Sequence, residues 1–437
     1  MNTPIVKYKK LIKANLSFSF YRLIVPVFCL GFITLFWNCA STSKQSTSNF
    51  NNYSYEYENN SPIIIKHTAA FNENEYKIYL SVNVRRLRME SDVKNFYKNI
   101  KIGYRQRFEY SGENIVSVDS IPVSIISTDK VNNAFICSFK ISRNSSFPPY
   151  LFIDVSDKKT DFKVTEDILL ESEGKPVFWT GILYNLSDSV PVFDDFIIAG
   201  NKYKILQEGP SESIYVNLIK HEFPPAPAPM STSSRNVPKK LEIDSIYVLS
   251  TNQEISFDTA GLYLIQKDTA NQEGLGFRVE TGKYPKYTKL DQLIKSLVYI
   301  STTEEIRALT KSTEPKQAFD RYWLKHGGNA NDGKRLIKIY YDRVEAANQK
   351  FTGYKEGWKT DMGMIFMIFG QPTYVYRNGE QEQWVYEKTE GMSQLKFTFV
   401  KTHNLYSNNH HELIRYPEYE EYWYKKVDLW RKGVPEI

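Results

Sequence analysis

The hydrophobic period of this chain switches from 2 to 3.6 at Pro285, and that change divides what it can fold into. Before Pro285 apolar residues alternate. In EYKIYLSVNVRRL, Ile78, Leu80, Val82 and Val84 share one side of a period-2 pattern, as a half-buried strand requires. KIGYRQRFEY, ENIVSVDSIPVSII, NAFICSFKI and PYLFIDVSD repeat the pattern between turn residues such as Ser111-Gly112. Short strands at even spacing predict an antiparallel β-sandwich over 61–160. KPVFWTGILYN, FDDFIIAG, KYKILQE, SIYVNLIKHEF, LEIDSIYVLS, GLYLIQK and LGFRVE predict a second β module over 161–282. Inside it lies PPAPAPMSTSSRNVP, 224–238, too rich in Pro to pair in a sheet. It is either a linker between domains or a long loop of the second module.

After Pro285 the period is 3.6. Leu290, Leu293, Ile294, Leu297 and Val298 form a helical stripe. Thr302 and Glu305 have capping-box spacing, and Pro315 opens a further helix that Gly327-Gly328 closes. Residues 331–350 predict a longer helix with Leu336, Ile339, Tyr340 and Val344 inward. A last helix from Glu418 puts Tyr422, Lys426 and Trp430 near one face, covering the preceding sheet or offering aromatics to a partner.

The formal charge of +6 has a local origin. Lys7, Lys9, Lys10, Lys13 and Arg22 precede any acidic residue, and without them 51 basic residues face 50 acidic ones. No global field for nucleic acid remains, so no nucleic-acid partner is expected. The five charges lead into the apolar run Leu23 to Trp37, which has the length of a signal-peptide core and is short for a bilayer span. The run ends at Leu35-Phe36-Trp37-Asn38-Cys39, followed by a Ser/Thr-rich stretch. This resembles a bacterial lipoprotein signal, with Asn38 a departure from the small residue usual there. The resemblance implies a signal peptide over 1–38, acylation of Cys39 and a tether over 39–60; the alternative is an uncleaved signal anchor. Surface-displayed lipoproteins of some Gram-negative groups resemble one another in carrying acids right after the Cys; the tether has none before Glu56, so the resemblance implies an outer-membrane lipoprotein facing the periplasm. Cys137 is then the one cysteine left; its alternating surroundings read as a small buried hydrophobe. The cluster Arg85, Arg86, Arg88, Lys94, Lys98, Lys101, Arg105 and Arg107 reads as a solvated face, or as a contact for anionic lipid.

Residues 353–372, GYKEGWKTDMGMIFMIFGQP, carry the most distinctive pattern. Gly353 and Gly357 suit positive φ, and Trp358 suits a lock between helix and sheet. Thr360 and Asp361 suit bonds to nearby backbone N–H groups. Met364 to Phe369 reads as a buried strand, and Asn378-Gly379 as a type I′ hairpin between TYVYR and QEQWVYE. With AFDRYWLKHGGN and YYDRVEAANQKF before it, the motif Gly357-Trp358-Lys359-Thr360-Asp361 makes residues 240–437 similar to the GWxTD domain of Gram-negative envelope proteins. The expected architecture is therefore a mainly β N-terminal part of two sandwich-like modules, then a helical segment and a small α+β GWxTD domain over 283–437.

Gly357, Trp358, Thr360 and Asp361 are expected to be structural or to form an interface. A general base at Asp361, helped by Glu356 or Thr360, would need a second titratable group, and none is evident nearby. His403, His410 and His411 lack the spacing of a zinc helix and read as an exposed loop. Neither a P-loop nor a GxSxG elbow occurs, and no cofactor, metal or catalytic residue is assigned. The functional expectation is a non-enzymatic protein-interaction or scaffold lipoprotein of an envelope or secretion assembly, with the membrane and an envelope protein as partners. A glycan- or peptide-binding lipoprotein and a hydrolase using Asp361 are the alternatives.

Overall fold

The computed structural model describes residues 53, 57, 61–84, 99–111, 115–120, 124–129, 134–143, 147–159, 162–172, 175–232, 240–271, 273–388 and 393–435. The signal segment, Cys39, most of the tether, Arg85 to Lys98 and residues 233–238 of the Pro-rich stretch lie outside these.

The first eight strands are β1 (Ile64–Asn72), β2 (Glu75–Asn83), β3 (Ile100–Arg107), β4 (Ile115–Ser120), β5 (Ser124–Asp129), β6 (Ala134–Ser142), β7 (Tyr150–Asp157) and β8 (Lys163–Leu169). They form two antiparallel sheets, ordered β1-β2-β6-β5 and β4-β3-β7-β8. Ile78, Leu80, Val82 and Val84 are fully buried and meet Leu151, Ile153, Val155 and Val164 of the facing sheet. Alternation thus becomes a sandwich core. Cys137 sits in it opposite Leu80, and burial pushes its thiol up to about 12.

A two-residue ladder, β9 (Glu171–Ser172) with β10 (Lys175–Pro176), leads to the second module. Its smaller sheet is ordered β12-β11-β14-β17, with β11 (Gly181–Asn185), β12 (Val190–Pro191), β14 (Lys202–Gln207) and β17 (Ile255–Ser256). The larger contains β13 (Phe196–Ile198), β15 (Ser213–Ile219), β16 (Ser245–Ser250), β18 (Gly261–Gln266) and β19 (Leu275–Glu280). Its order is β13-β19-β18-β15-β16, with β13 parallel to β19. The inner faces share Leu183, Ile205, Val216, Tyr263 and Phe277. Since β15 and β16 pair directly, the Pro-rich stretch between them is a long loop of this module. The outer face of the larger sheet is also buried: Ile219, Leu262 and Leu264 lie under Phe223, Leu241, Tyr354 and Tyr406.

The helical part contains α1 (Leu290–Ser296), α2 (Thr303–Thr310), α3 (Pro315–Gly327) and α4 (Ala330–Phe351). The Thr302–Glu305 capping box forms in full, and Gly328 closes α3 at φ 74°. A 3-10 turn over Gly357–Lys359 leads into α5 (Asp361–Phe369). Then come the antiparallel strands β20 (Tyr374–Arg377), β21 (Gln381–Tyr386), β22 (Leu395–Lys401) and β23 (His411–Leu413), and α6 (Tyr419–Arg431). Among the described residues no helix is long and apolar enough to cross a membrane.

Met364–Phe369, expected as a strand, belongs to α5. A short apolar run has no period to separate the two readings. The ends decide it, because Thr360 caps one end and Gly370 closes the other. Every residue of α5 is buried, as a helix apolar on all sides must be. Phe366 meets Phe351 of α4 edge-on, and Phe369 packs edge-on against Phe397 of β22 and tilted against Trp423 of α6. The hairpin after α5 forms, but Asn378 N–H donates to the Gln381 carbonyl and positive φ falls on Gly379 alone. That is the pattern of a type II′ turn centred on Gly379-Glu380, one residue later than expected. Finally, two tether residues dock on this domain. Tyr53 N–H donates to the Val375 carbonyl (2.9 Å), and Tyr57 packs on Trp384 and donates to Glu382.

Candidate functional site

The motif is an internal joint. Trp358 is 2% exposed, and Gly357, Lys359, Thr360 and Asp361 are buried with it. The 3-10 turn lies directly on the backbone of α4, and a Cβ at Gly357 would collide with the Ala347 carbonyl. A Cβ at Gly363 would collide in turn with the Gly357 carbonyl. Neither Gly353 nor Gly357 has positive φ, so close approach, and not a left-handed backbone, explains glycine at 357.

The polar groups of the turn are bonded both within it and to several other elements. Gly357 N–H donates to Thr352 Oγ1 (3.1 Å) and Trp358 N–H to Asn348 Oδ1 (3.2 Å). Asn348 follows the inward stripe of α4, four residues after Val344, and a polar residue at such a position signals a buried hydrogen bond. The indole Nε1 of Trp358 donates to Tyr287 Oη (2.8 Å), and Tyr299 Oη donates to the Trp358 carbonyl (3.1 Å). Thr360 Oγ1 donates to the Gly357 carbonyl (2.7 Å) and accepts from Gly363 N–H (3.0 Å), capping α5.

Asp361 does have a titratable partner, 54 residues onward in sequence. Arg415 donates from both terminal nitrogens to its two carboxylate oxygens, and Leu413 N–H adds a bond of 2.8 Å. Asp361 also stands in the first turn of α5, where a negative charge complements the helix dipole. The Pro-rich loop completes the joint: Ala226 N–H donates to the Lys359 carbonyl (2.9 Å), and Arg415 donates to the Pro227 carbonyl (3.3 Å). From β19, Arg278 pairs with Glu280 (2.6 Å) and reaches Glu356 (3.7 Å). Burial alone would raise the Glu356 carboxyl, but the charges of Arg278 and Lys359 hold it below its usual range.

His410 and His411 are not in an exposed loop. His410 is buried edge-on against Tyr354, and His411 opens β23. Burial, with Lys355 beside the first and Lys401 beside the second, pushes both down to about 3. Burial also brings Lys355 down to about 8.

A second feature is a cleft of about 500 Å³ where the first sandwich, the second module and the C-terminal domain meet. The edge strand β1 forms one wall, and Phe178, Trp179 and Phe193 form another. Most of its charges are paired: Lys66 with Asp194 (2.6 Å), His67 with Glu166 (2.8 Å), and Arg377 with Asp167 (2.9 Å) and Glu382 (2.7 Å). Two are left over. Among the described residues, the side chains of Asp195 and Lys401 form no hydrogen bond or close ion pair. Burial and the neighbouring Asp194 raise Asp195 to about 7, and burial lowers Lys401. The Nδ1 of His411, another lining residue, is buried without a partner. Sequence patterning does not find these groups, since Asp195 lies in a different module from Lys401 and His411, which pair on adjacent strands.

Residues 261–432, less than half of the chain, match the family model of the GWxTD domain. The match begins at the first residue of β18 and so includes two central strands of the second module. Comparison with curated proteins gave no match.

Proposed function

We propose that this chain is a lipoprotein anchored in the outer membrane through acylated Cys39, facing the periplasm, and that it acts as a non-enzymatic interaction or scaffold protein of an envelope or secretion assembly. The observation that carries the non-enzymatic part is the state of Asp361. Both its oxygens are committed to Arg415, and the residue is 7% exposed. A general base needs a free lone pair within reach of substrate, so this geometry favours architecture over hydrolysis. The signal-like N-terminus supports the anchor.

The test is in-cell chemical cross-linking, followed by detergent extraction and identification of what is bound to the protein. A defined envelope protein at fixed stoichiometry is the expected result, and recovery with no other protein counts against the scaffold. The anchor has its own test. Radiolabelled palmitate should enter the wild type and not Cys39→Ser, which should leave the membrane fraction.

The cleft supports a second reading, a glycan or peptide site. Its volume suits a small ligand, aromatic walls flank it, and Asp195 with Lys401 offers one acceptor and one donor not used internally. Quenching of tryptophan fluorescence by envelope oligosaccharides or extended peptides, lost in Trp179→Phe, would favour it. Flat titrations would remove it.

A further inference from the structure

Strand β16 ends the five-stranded sheet, with β15 on one side and, among the described residues, no strand on the other. Soluble proteins usually blunt such an edge with Lys, Pro or a bulge. Ser245–Ser250 contains none of these, and its register with β15 is unbroken. Its apolar side chains are open to solvent: Ile246 is 56% exposed, Tyr247 47% and Val248 63%. Neighbouring residues of a strand point to opposite faces, so the apolar surface lies on both sides. Tyr215, opposite Val248 on β15, extends it. The edge of the first sandwich at β1 instead carries Lys66 and His67 in ion pairs.

We infer that this edge joins two copies of the chain about a two-fold axis, β16 against β16. In an antiparallel ladder, residues whose N–H and C=O groups point outward must face each other. In a self-pair, the two facing residue numbers therefore sum to an even number. Placing Tyr247 opposite Tyr247 of the second copy sets Ile246 against Val248 and Ser245 against Leu249. Each of the three exposed apolar residues meets an apolar partner, at the cross-strand spacing where such pairs interact. No charge meets a like charge: Asp244, already bonded to Lys220 N–H, falls opposite Ser250. The strand is uncharged along its length, so it offers nothing to select a charged foreign segment but is complementary to itself. The two larger sheets become one, and the interface is isologous. This inference does not depend on the lipid anchor or on the motif.

Analytical ultracentrifugation of the full-length protein in detergent tests it. Wild type should sediment with the mass of two chains, and Val248→Lys should weaken the dimer by about tenfold or more. Tyr247→Cys should give a covalent dimer on mild oxidation, while Ser187→Cys, on an exposed loop, should not. All these positions are exposed in the single chain, so thermal melts should show the variants folded. A wild type that stays monomeric at micromolar concentration overturns the inference. So does a dimer indifferent to Val248→Lys that gives no Tyr247 cross-link. A monomer that loses a different envelope protein on Val248→Lys assigns the edge to that protein and overturns self-pairing.

Discussion

Gly357 leaves no room for a methyl group against Ala347, and the obstacle is backbone that cannot rotate away. Gly357→Ala should cost about 3 kcal/mol, the upper range for overpacking, read as a lower urea midpoint. Asp361→Ala leaves the partly buried Arg415 without its carboxylate, and should cost about 3 kcal/mol, the lower end for a broken buried pair. Adding Arg415→Met should recover part of that loss, which a double-mutant cycle measures. His410 makes stability depend on pH. An unfolded histidine protonates near pH 6.5, but the buried one stays neutral down to about 3. Between those values the unfolded chain binds more protons, so stability falls as pH falls. His410→Gln should remove about 1–2 kcal/mol of the stability difference between pH 7 and pH 5. Asp195 acts in the opposite sense. Its folded carboxyl takes up a proton at about 7 and its unfolded one only near 3.9, so acid favours the fold there. The sequence marked Trp358 and Thr360 by type, but it could not show Arg415. A salt bridge across 54 residues has no local signature.

At the scale of elements, legibility followed the length of the period. β2 and α4 carry enough turns of their pattern to be read directly. The apolar run after the motif does not, and its identity rests on Thr360. Thr360→Ala should therefore cost about 1–2 kcal/mol, and Thr360→Ser should keep most of that, with urea unfolding followed by circular dichroism as the check. The Pro-rich stretch was ambiguous for a different reason. Proline density forbids pairing but does not reveal what the segment lies against. Here residues 226 and 227 bond to the motif and to Arg415, so a loop of one module serves as part of another's core.

The whole molecule is more interlocked than its sequence suggests. The matched GWxTD range starts at β18, whose neighbour β15 lies before that start. A fragment of 261–437 would bare Tyr263, Ile265 and Phe277 on one face and would strip Phe223 and Leu241 from Leu262 and Leu264 on the other. It should be insoluble or molten, whereas residues 53–437 should unfold in one transition; calorimetry and NMR dispersion distinguish the two. The docked tyrosines have a mechanical meaning as well. The chain reaches Val375 and Glu382 through Tyr53 and Tyr57 before it enters β1. A pull applied upstream of Tyr53 is borne first by the C-terminal domain, and reaches the first sandwich only after those two contacts give way. Tension on this chain would thus be felt at its far end in sequence before it is felt at the near one.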